Sequence, residues 1–385
     1  MQIEKFKSGQ FVAHQAGYKH FVPEKINQIY GWSDIELTNL MDKATQKIGQ
    51  IEAWSEQVPN VDGFIKMYVL KEATDSSRIE GTQTTIQEAL LKQQDILPQR
   101  KDDWKEVHNY VDAMNRSIKL LDNLPLSSRM IRGAHEKLLD GARGQHHMPG
   151  EFRTSQNWIG GRSINDAIFI PPPFNSVNEL MSDLEKFLHN KNCGLPHLMK
   201  IGLAHYQFET IHPFLDGNGR IGRLLITLYL VEQEILSKPV LYISDFFERK
   251  KNQYYDFLMD VRLKGDLLKW MKFFLTGVIQ TAEDSIRVFK EIIILKQECD
   301  KKLFKLGRKA PHAKLLMDYL FGRPICDAED CAKVTKLSLV SSYALIADFQ
   351  RIGILKELTG FKRNRIFSFQ EYYMLFYPEF TNRAS

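Results

Sequence analysis

The twelve residues "HPFLDGNGRIGR", 212–223, constrain the fold of this 385-residue chain more than any other stretch. Their centre, from Gly217 to Gly222, satisfies G-x-G-x-x-G, the pattern of dinucleotide-binding folds, which place a buried strand before the first glycine. The preceding segment, "LMKIGLAHYQFETI", instead repeats its apolar residues at helical intervals. The sequence therefore predicts a helix, a loop and a second helix, and it argues against a nicotinamide or flavin site. The glycines also lack the Gly-Lys-Ser/Thr ending of a Walker A loop.

The predicted loop has the chemistry of a phosphate site. Pro213 has no N–H and helps to end the incoming helix. Gly217 and Gly219 can take positive φ, so successive backbone N–H groups can converge on an anion. The outgoing helix adds the positive end of its dipole. Arg220 and Arg223 lie three residues apart, on one helical face, and both can bind phosphate oxygens.

Two further residues suit catalysis on a bound polyphosphate. Asp216 lies at the mouth of the loop, and one carboxylate together with phosphate oxygens is a usual way for proteins to hold Mg²⁺. His212 has an ordinary pKa near 6.5, which suits proton abstraction at neutral pH. Taken singly, each is more often structural, since histidines fill cores and Asp before Gly forms turns. Their combination with the loop and the two arginines favours a catalytic site.

The same twelve residues match the signature H-P-F-x-[D/E]-G-N-G-R-x-x-R at every position, so the chain resembles the Fic family. The resemblance implies an all-α core with this helix-loop-helix, a β-hairpin flap, and ATP as the substrate. Most members transfer AMP to a hydroxyl group of a target protein, and pyrophosphate leaves. In the kinase-like Doc branch a Lys replaces the second glycine of the loop; Gly219 at that position favours AMP transfer over phosphorylation.

The resemblance also implies a role for each site residue. His212 would be the general base that deprotonates a Ser, Thr or Tyr of the target, and Asp216 would hold Mg²⁺ between the α- and β-phosphates. The residues implied in nucleotide binding are Gly217, Asn218 and Gly219 in the loop, Arg220 and Arg223 on the β- and γ-phosphates, and Tyr254 and Tyr255 near the adenine. The two tyrosines, in "NQYYDFL", could equally be core residues.

Residues 150–173 lack the helical spacing of apolar residues that the segments around them show. Gly160-Gly161 with β-prone residues on either side, ended by three prolines, predicts a hairpin. It resembles the Fic flap, which pairs with the backbone of the target and aligns its hydroxyl. Ile168, Phe169 and Ile170 would be the target-binding residues. An ordinary surface hairpin is the alternative.

The stretch "SSRIEGT", from Ser76 to Thr82, places a carboxylate at an unfavourable position. Apolar residues at helical spacing run into it from Phe64, and Gly81 is a stop signal, so Glu80 would lie in the last turn. A carboxylate there opposes the helix dipole at a cost of about 0.3–1 kcal/mol. The capping-box spacing S-x-x-E would instead start a helix at this point.

The same stretch resembles the inhibitory motif of Fic proteins, [S/T]-x-x-x-E-[G/N]. The resemblance implies that Glu80 pairs with Arg223, blocks productive binding of the γ-phosphate and so inhibits the enzyme. It also allows self-AMPylation, and in some relatives the same Glu positions water to remove AMP.

The remaining pattern predicts an all-α protein with a small C-terminal domain. Helical spacing covers residues 35–54, 61–80, 101–121, 126–139 and, with short breaks, 176–306, whereas residues 1–30 form an arm without a clear period. From about residue 310, three short helices and two short strands predict a winged helix-turn-helix. The expected divisions are 1–100, an N-terminal helical region with the inhibitory helix; 101–290, the Fic core; and 291–385, a linker helix with the winged-helix domain.

The C-terminal segment leaves an alternative function open, that of a DNA-binding regulator or docking protein. Lys362, Arg363 and Arg365 in the wing could meet phosphates. The recognition helix "LVSSYALIADFQRI", however, carries a single basic residue, Arg351, near its end. Docking of a target or formation of a homodimer is therefore favoured over DNA binding.

Composition limits the classes of ligand and the cellular location that are expected for this chain. Lys and Arg exceed Asp and Glu by five, too few to mark a nucleic-acid binder. The four cysteines form no C-x-x-C pair, so neither a zinc site nor a disulfide framework is expected. The start lacks the apolar run of a signal peptide, and no run reaches membrane-spanning length. We expect a soluble, cytoplasmic protein.

Overall fold

The computed structural model describes residues 1–57, 61–360 and 364–377, and the chain is mostly helical. The helices of the N-terminal half are α1 (Ile35–Gln57), α2 (Val61–Ile79), α3 (Ile86–Leu90), α4 (Lys101–Leu121), α5 (Ser128–Leu138) and α6 (Val177–His189). Those of the centre are α7 (His197–Ile211), α8 (Asn218–Glu232), α9 (Ser244–Arg249), α10 (Lys251–Lys264) and α11 (Leu267–Phe304). The C-terminal helices are α12 (Ala310–Gly322), α13 (Ala328–Thr335), α14 (Leu339–Arg351) and α15 (Gln370–Met374).

The strands form two small sheets. An N-terminal hairpin pairs β1 (Gly9–Ala13) with β2 (Lys19–Pro23) in antiparallel register, Phe11 opposite Phe21. A C-terminal sheet has the order β3-β5-β4, with β3 (Ile325–Cys326), β4 (Lys356–Glu357) and β5 (Phe367–Ser368). Neither sheet is large enough to organise the core, so the helices do.

The centre of the core is the pair α7 and α8. Every residue from Leu198 to Ile211 is buried, and so is every residue from Arg220 to Leu230. A helix that is buried all round must be enclosed by other elements; here α4, α5 and α6 pack on one side and α11 on the other. Trp270 of α11 donates its indole N–H to the Gly202 carbonyl at 2.9 Å. The loop between α7 and α8 therefore connects two helices that are buried almost throughout.

Helix α2 packs against both central and C-terminal elements of the chain. Its main partners are α4, α9 and α12. Near its start, the Phe64 ring lies 4.7 Å from that of Phe289 and 5.8 Å from that of Phe376. Its other end approaches α8, with which it also packs. Aromatic packing thus holds the start of α2, and contact with α8 holds its end.

The helices predicted from apolar spacing are confirmed as α1, α2, α4 and α5, with small differences at their ends. The expectation of an irregular arm over residues 1–30 was wrong, because that segment contains the β1–β2 hairpin. Its strands are only five residues long, and buried and exposed residues do not alternate along either of them, so they carry little periodic signal. Gly17, at φ 88°, turns the chain between them.

The hairpin predicted around Gly160 is reduced to one antiparallel bridge, Ile159 with Phe169. A short 3₁₀ turn, Ile164–Asp166, occupies the tip. The segment continues the N-terminal hairpin, because the N–H of Phe21 donates to the Ile170 carbonyl at 2.9 Å. The flap is thus supported by a hairpin that sequence periodicity did not reveal.

The C-terminal region has the order of elements predicted for a winged helix-turn-helix: α12, α13 and α14, followed by β4 and β5. Its assignment to that class, and the predicted domain boundaries, stay predictions; α11 runs through residue 290 without a break. Lys362 and Arg363 lie outside the described residues, and Arg365 pairs with Glu357. No helix in the described part of the chain is both long and apolar enough to cross a membrane.

Candidate active site

The loop between α7 and α8 is short and conformationally constrained. His212 caps the end of α7 at φ 50°, and Gly217 precedes α8 at φ 78°. A non-glycine residue in the left-handed region costs about 1–3 kcal/mol and persists only where neighbours impose it. The N–H of His212 donates to the Phe208 carbonyl at 2.9 Å, as a helix cap does. The geometry of His212 is therefore imposed by its surroundings.

The loop is braced from within by Asn218. Its side-chain oxygen accepts from the N–H of Phe214 at 2.8 Å, and its amide nitrogen donates to the carbonyl of the same residue at 2.9 Å. The Phe214 ring is fully buried and stacks on His135 at 3.7 Å between centroids. The side chain of Asn218 is thus committed to closing the loop, and its contribution to an anion site would come from the backbone.

His135, on α5, holds the loop from outside. Its Nε2 lies 2.9 Å from the Asp216 carbonyl, and its Nδ1 accepts from the N–H of Gly150 at 2.9 Å. This pairing requires the neutral tautomer with its proton on Nε2. Burial lowers the pKa of His135 to about 4, which agrees with a neutral ring. Sequence analysis did not single out this residue.

Arg153 ties the loop to the base of the flap. The buried guanidinium donates from Nε to the His212 carbonyl at 3.0 Å and from Nη2 to the Pro172 carbonyl at 2.5 Å. Burial lowers its pKa to about 10, which leaves the group charged at neutral pH. Asn157 adds a bond from Nδ2 to the Phe214 carbonyl at 2.9 Å. Loop and flap are therefore one hydrogen-bonded unit.

The side chain of His212 is partly exposed at this unit. Desolvation lowers its pKa to about 3, and the charges of Arg262 and Arg153 act in the same direction. The imidazole is therefore neutral at physiological pH. A neutral imidazole is the form that can accept a proton.

Asp216 presents the accessible carboxylate of the loop, with 37% of its side chain exposed. Its Oδ1 accepts from the N–H of Gly217 at 2.6 Å and lies 3.4 Å from Nη2 of Arg220. Its Oδ2 lies 3.6 Å from Nδ1 of His147. Across the described ranges, no three His, Cys, Asp or Glu side chains are grouped so that they could hold a metal ion. A cation bound here would need ligands from a second molecule.

The two arginines of α8 are both buried and both paired with carboxylates. Arg220 donates from Nη1 to Glu106 of α4 at 3.1 Å. Glu106 in turn accepts from Nε of Arg143 at 2.8 Å. Sequence analysis assigned Arg220 to phosphate but did not find Glu106, whose partner lies more than a hundred residues away.

Arg223 is the more deeply buried arginine, at 1% exposure, and it points to the end of α2. It donates from Nη2 to Oε1 of Glu80 at 2.6 Å and to the Ser76 carbonyl at 2.9 Å, and from Nε to the Ser76 hydroxyl at 2.8 Å. A Cβ added to Gly219 would lie 2.1 Å from Oε1 of Glu80. The Glu80 carboxylate therefore rests against the first turn of α8, at its positive end.

The end of α2 agrees with the predicted position of Glu80. The helix ends at Ile79, and Gly81 follows with φ 105°. The alternative, in which a capping box starts a helix here, is wrong. A capping box occurs further along the chain, where Thr85 and Glu88 begin α3. Arg223 supplies the cation that offsets the unfavourable dipole interaction of Glu80.

The tyrosines of α10 are placed differently from each other. Tyr254 is 1% exposed, its hydroxyl lies 2.9 Å from Nε2 of His205, and its ring stacks on Phe247 at 4.4 Å. Tyr255 is 39% exposed and lies near Arg223, whose charge acts on its hydroxyl. Tyr254 is therefore a core residue here, and Tyr255 alone of the two offers a surface to a ligand.

The flap residues also divide. Ile168 is 70% exposed, whereas Phe169 and Ile170 are buried. The Phe169 ring lies under the guanidinium of Arg262, 4.0 Å from its centroid. Both the N–H and the carbonyl of Phe169 pair with Ile159. Of the three predicted target-binding residues, Ile168 alone presents its side chain to solvent.

Known proteins resemble the chain in both sequence and fold. It matches the model of the Fic/DOC family N-terminal region over residues 38–119 and that of the Fic/DOC family over residues 125–230. The "Protein adenylyltransferase Fic" of Aedes aegypti is 35% identical over 125 residues, which make up 32% of this chain and 22% of that protein. The protein of the same name from Drosophila yakuba is 29% identical over 175 residues, 43% of this chain and 32% of that one.

The fold also resembles the crystal structure of a Fic family protein from Desulfovibrio desulfuricans G20. The superposition includes 88% of this chain and 96% of that one, with a TM-score of 0.56 and 19% sequence identity. Residues 38–119 and 125–230 are therefore similar to the two regions of the Fic/DOC family, and the chain resembles a Fic family protein in fold. It spans less than a third of the length of these two curated relatives.

The lowered pKa of His212 leads to a direct prediction. In the free protein its imidazole signals should not titrate between pH 5 and 8, because a pKa of about 3 keeps the ring neutral across that range. The measurement is histidine-selective NMR as a function of pH, with the signal assigned from its loss in His212→Ala. A midpoint near 6.5 for that signal would contradict the described environment.

Proposed function

We propose that this protein is a Mg²⁺-dependent protein adenylyltransferase. It transfers AMP from ATP to a Ser, Thr or Tyr hydroxyl of a target protein. One observation carries the proposal: a neutral His212, an accessible Asp216 and two buried arginines are held around one glycine-containing helix N-terminus. The relatives named as protein adenylyltransferases support the same activity.

The nucleotide phosphates would lie at the start of α8. The backbone N–H groups from Gly217 to Gly219 and the helix dipole favour an anion there. The carboxylate of Glu80 already lies against the first turn of α8, which supports the affinity of this helix N-terminus for negative charge. Arg220 and Arg223 would bind the β- and γ-phosphates. Tyr255, the exposed tyrosine, would contact the adenine.

Asp216 fits a Mg²⁺ that is shared with the nucleotide. Mg²⁺ is usually held by one or two carboxylates together with substrate phosphates, rather than by an all-protein cage. A single accessible carboxylate beside a phosphate site meets that requirement. The bound cation would neutralise charge on the α- and β-phosphates.

The chemistry needs one proton transfer by the protein. The neutral imidazole of His212 takes the proton of the target hydroxyl as its oxygen bonds to the α-phosphorus, and the bond to the β-phosphate oxygen breaks to release pyrophosphate. The negative charge of a nucleotide bound at the start of α8 would act on His212 in the opposite direction to Arg262 and Arg153, and so would raise its pKa toward the ordinary value. Arg153 and the flap bonds keep His212 aligned with Ile168, where the target would dock.

Glu80 would inhibit this reaction. A guanidinium at 1% exposure cannot serve Glu80 and a γ-phosphate with the same Nη2, so the two anions exclude each other. ATP would still bind through the loop and Arg220, with its α-phosphate misaligned. A displacement of about 1 Å can cost on the order of 10²-fold in rate. Self-AMPylation and removal of AMP belong to the same site.

The C-terminal region suggests a second function, docking of a target or of a second copy of the chain. Leu339, Val340 and Tyr343 form an exposed apolar face on α14. Such a face favours contact with protein over contact with DNA, which requires cations. We propose a homodimer on this basis, with DNA binding disfavoured. The cytoplasmic location is proposed separately, from the four cysteines without a disulfide pattern.

His212→Ala should abolish transfer while leaving the fold intact. The measurement is incorporation of α-labelled ATP into lysate proteins and into the chain itself, with Mg²⁺ and with EDTA. ATP binding should persist, because the loop and both arginines remain. His14→Ala, an exposed histidine of the N-terminal hairpin, is the control. Wild-type incorporation by His212→Ala, or full activity in EDTA, would refute the mechanism.

Glu80→Gly should increase AMP transfer, including self-modification, because it frees Arg223 for the γ-phosphate. A gain of about tenfold or more is expected from alignment alone. Glu56→Gly is the matched control, since Glu56 is an exposed carboxylate in the last turn of α1. Incorporation is measured at equal protein, ATP and Mg²⁺. Equal or lower incorporation by a folded Glu80→Gly protein would return Glu80 to a structural role.

A further inference from the structure

A second carboxylate lies beside Arg223, and neither the motifs nor the proposed mechanism uses it. Glu209 stands on α7, one turn before His212, and is buried. Its Oε1 has no hydrogen-bond partner among the described residues. A buried carboxylate oxygen without a partner is costly, so it calls for an explanation.

The approach of Glu209 to α8 depends on a glycine. A Cβ added to Gly222 would lie 2.2 Å from Oε1 of Glu209. Gly219, one turn earlier on α8, admits Glu80 in the same way, at 2.1 Å. Residues three apart share a face of a helix. Two carboxylates therefore rest on one face of α8, each over a glycine, with Arg223 as their neighbour.

Charged groups from three elements act on the Glu209 carboxyl: Arg223 of α8, Arg262 of α10 and Glu80 at the end of α2. Desolvation raises the pKa of Glu209 to about 7, Arg223 lowers it, and Glu80 raises it. The Nη2 of Arg262 donates to the backbone carbonyl of Glu209 at 3.0 Å, which leaves the carboxyl itself to Arg223. Both carboxylates are thus electrostatically coupled to one guanidinium, and Glu80 is the one that is hydrogen-bonded to it.

All hydrogen bonds described for Arg223 come from the inhibitory segment, through Ser76 and Glu80. If Glu80 leaves to admit a γ-phosphate, a buried guanidinium loses its carboxylate, and an unpaired buried charge is strongly destabilising.

Two other buried carboxylates, Glu209 and Glu72, interact electrostatically with Arg223. The Glu72 carboxylate already accepts hydrogen bonds from Tyr110 and Ser244, whereas Oε1 of Glu209 has no partner among the described residues and is free to pair with the guanidinium. A group fixed on α7 can hold Arg223 where a mobile phosphate alone cannot.

We propose that Glu209 is a positioning residue for Arg223, the carboxylate that keeps this guanidinium in place for the γ-phosphate once Glu80 has left it. The inference rests on the proposed function, because it assigns Arg223 to the nucleotide. The absence of a side chain at Gly222 is part of this arrangement, since a Cβ there would displace the Glu209 carboxyl group.

The test compares Glu80→Gly with Glu80→Gly/Glu209→Gln, measured as rates of AMP incorporation against ATP concentration. KM for ATP should rise about tenfold, because the γ-phosphate loses a well-placed cation. The kcat should fall as well, because the α-phosphate is then misaligned for attack. Glu80→Gly/Glu232→Gln, altered at the far end of α8, should match Glu80→Gly. Equal KM values with and without Glu209 would overturn the inference.

A second variant guards against loss of the fold. Gly222→Ala keeps a good helix former in α8 and displaces the Glu209 carboxyl by contact. In the Glu80→Gly protein it should raise KM as Glu209→Gln does, and the two changes together should be no worse than either one. Fully additive effects would contradict the shared mechanism.

A pH comparison separates positioning from packing. Below about pH 7 the Glu209 carboxyl is neutral and Arg223 has Glu80 alone, whereas above it the charged Glu209 competes. The activity ratio of Glu80→Gly to wild type should therefore fall from pH 6 to 8, and it should stay flat when both proteins carry Glu209→Gln. A ratio that falls equally in both pairs would refute the role of Glu209. If Glu80→Gly itself transfers no AMP, the proposed function fails instead.

Discussion

The ion pair between Arg223 and Glu80 is the interaction on which the account of this protein depends. A guanidinium at 1% exposure must be compensated by an anion, because an unpaired buried charge costs several kcal/mol. The chain supplies that anion from a helix end 143 residues earlier in the sequence. The same pair offsets the unfavourable position of Glu80 at the end of α2. Two local costs therefore cancel in one contact, and that contact occupies the site proposed for phosphate.

The other residues of the site hold the loop beside this ion pair in one conformation. Asn218 closes the loop, His135 and Phe214 brace it, and Arg153 joins it to the flap. The left-handed His212 is held in place by this frame. Helices α7 and α8 are buried almost throughout, so the frame can shift little. Helix α2 contributes its end to the site, and this end is the element whose withdrawal would free Arg223.

The sequence predicted much of this fold, because helical periodicity and loop residues are local signals. The bounds of α1, α2, α4 and α5 followed from apolar spacing, and the loop of residues 212–217 from its glycines and proline. Glu80 was found through Gly81 and a short motif. The β1–β2 hairpin was missed because its strands are short and show no alternation of buried and exposed residues.

Contacts between segments that are distant in sequence could not be predicted from local sequence patterns. Glu106 meets Arg220 across more than a hundred positions, and Arg153 acts through backbone carbonyls that carry no residue signature. Glu209 lies within view of the motif, yet its role depends on how close α7 and α8 approach at Gly222. Tyr254 and Tyr255 are neighbours in sequence but point to the core and to the surface, a distinction that depends on the packing of α10.

The most direct test of the central claim is the contribution of the γ-phosphate to binding. Affinities for ATP and ADP are measured by calorimetry with Mg²⁺, in His212→Ala proteins so that no turnover occurs. With Glu80 present, the two nucleotides should bind about equally, because Arg223 is occupied. Without Glu80, ATP should bind about tenfold more tightly than ADP. A preference for ATP that is the same with and without Glu80 would contradict the account.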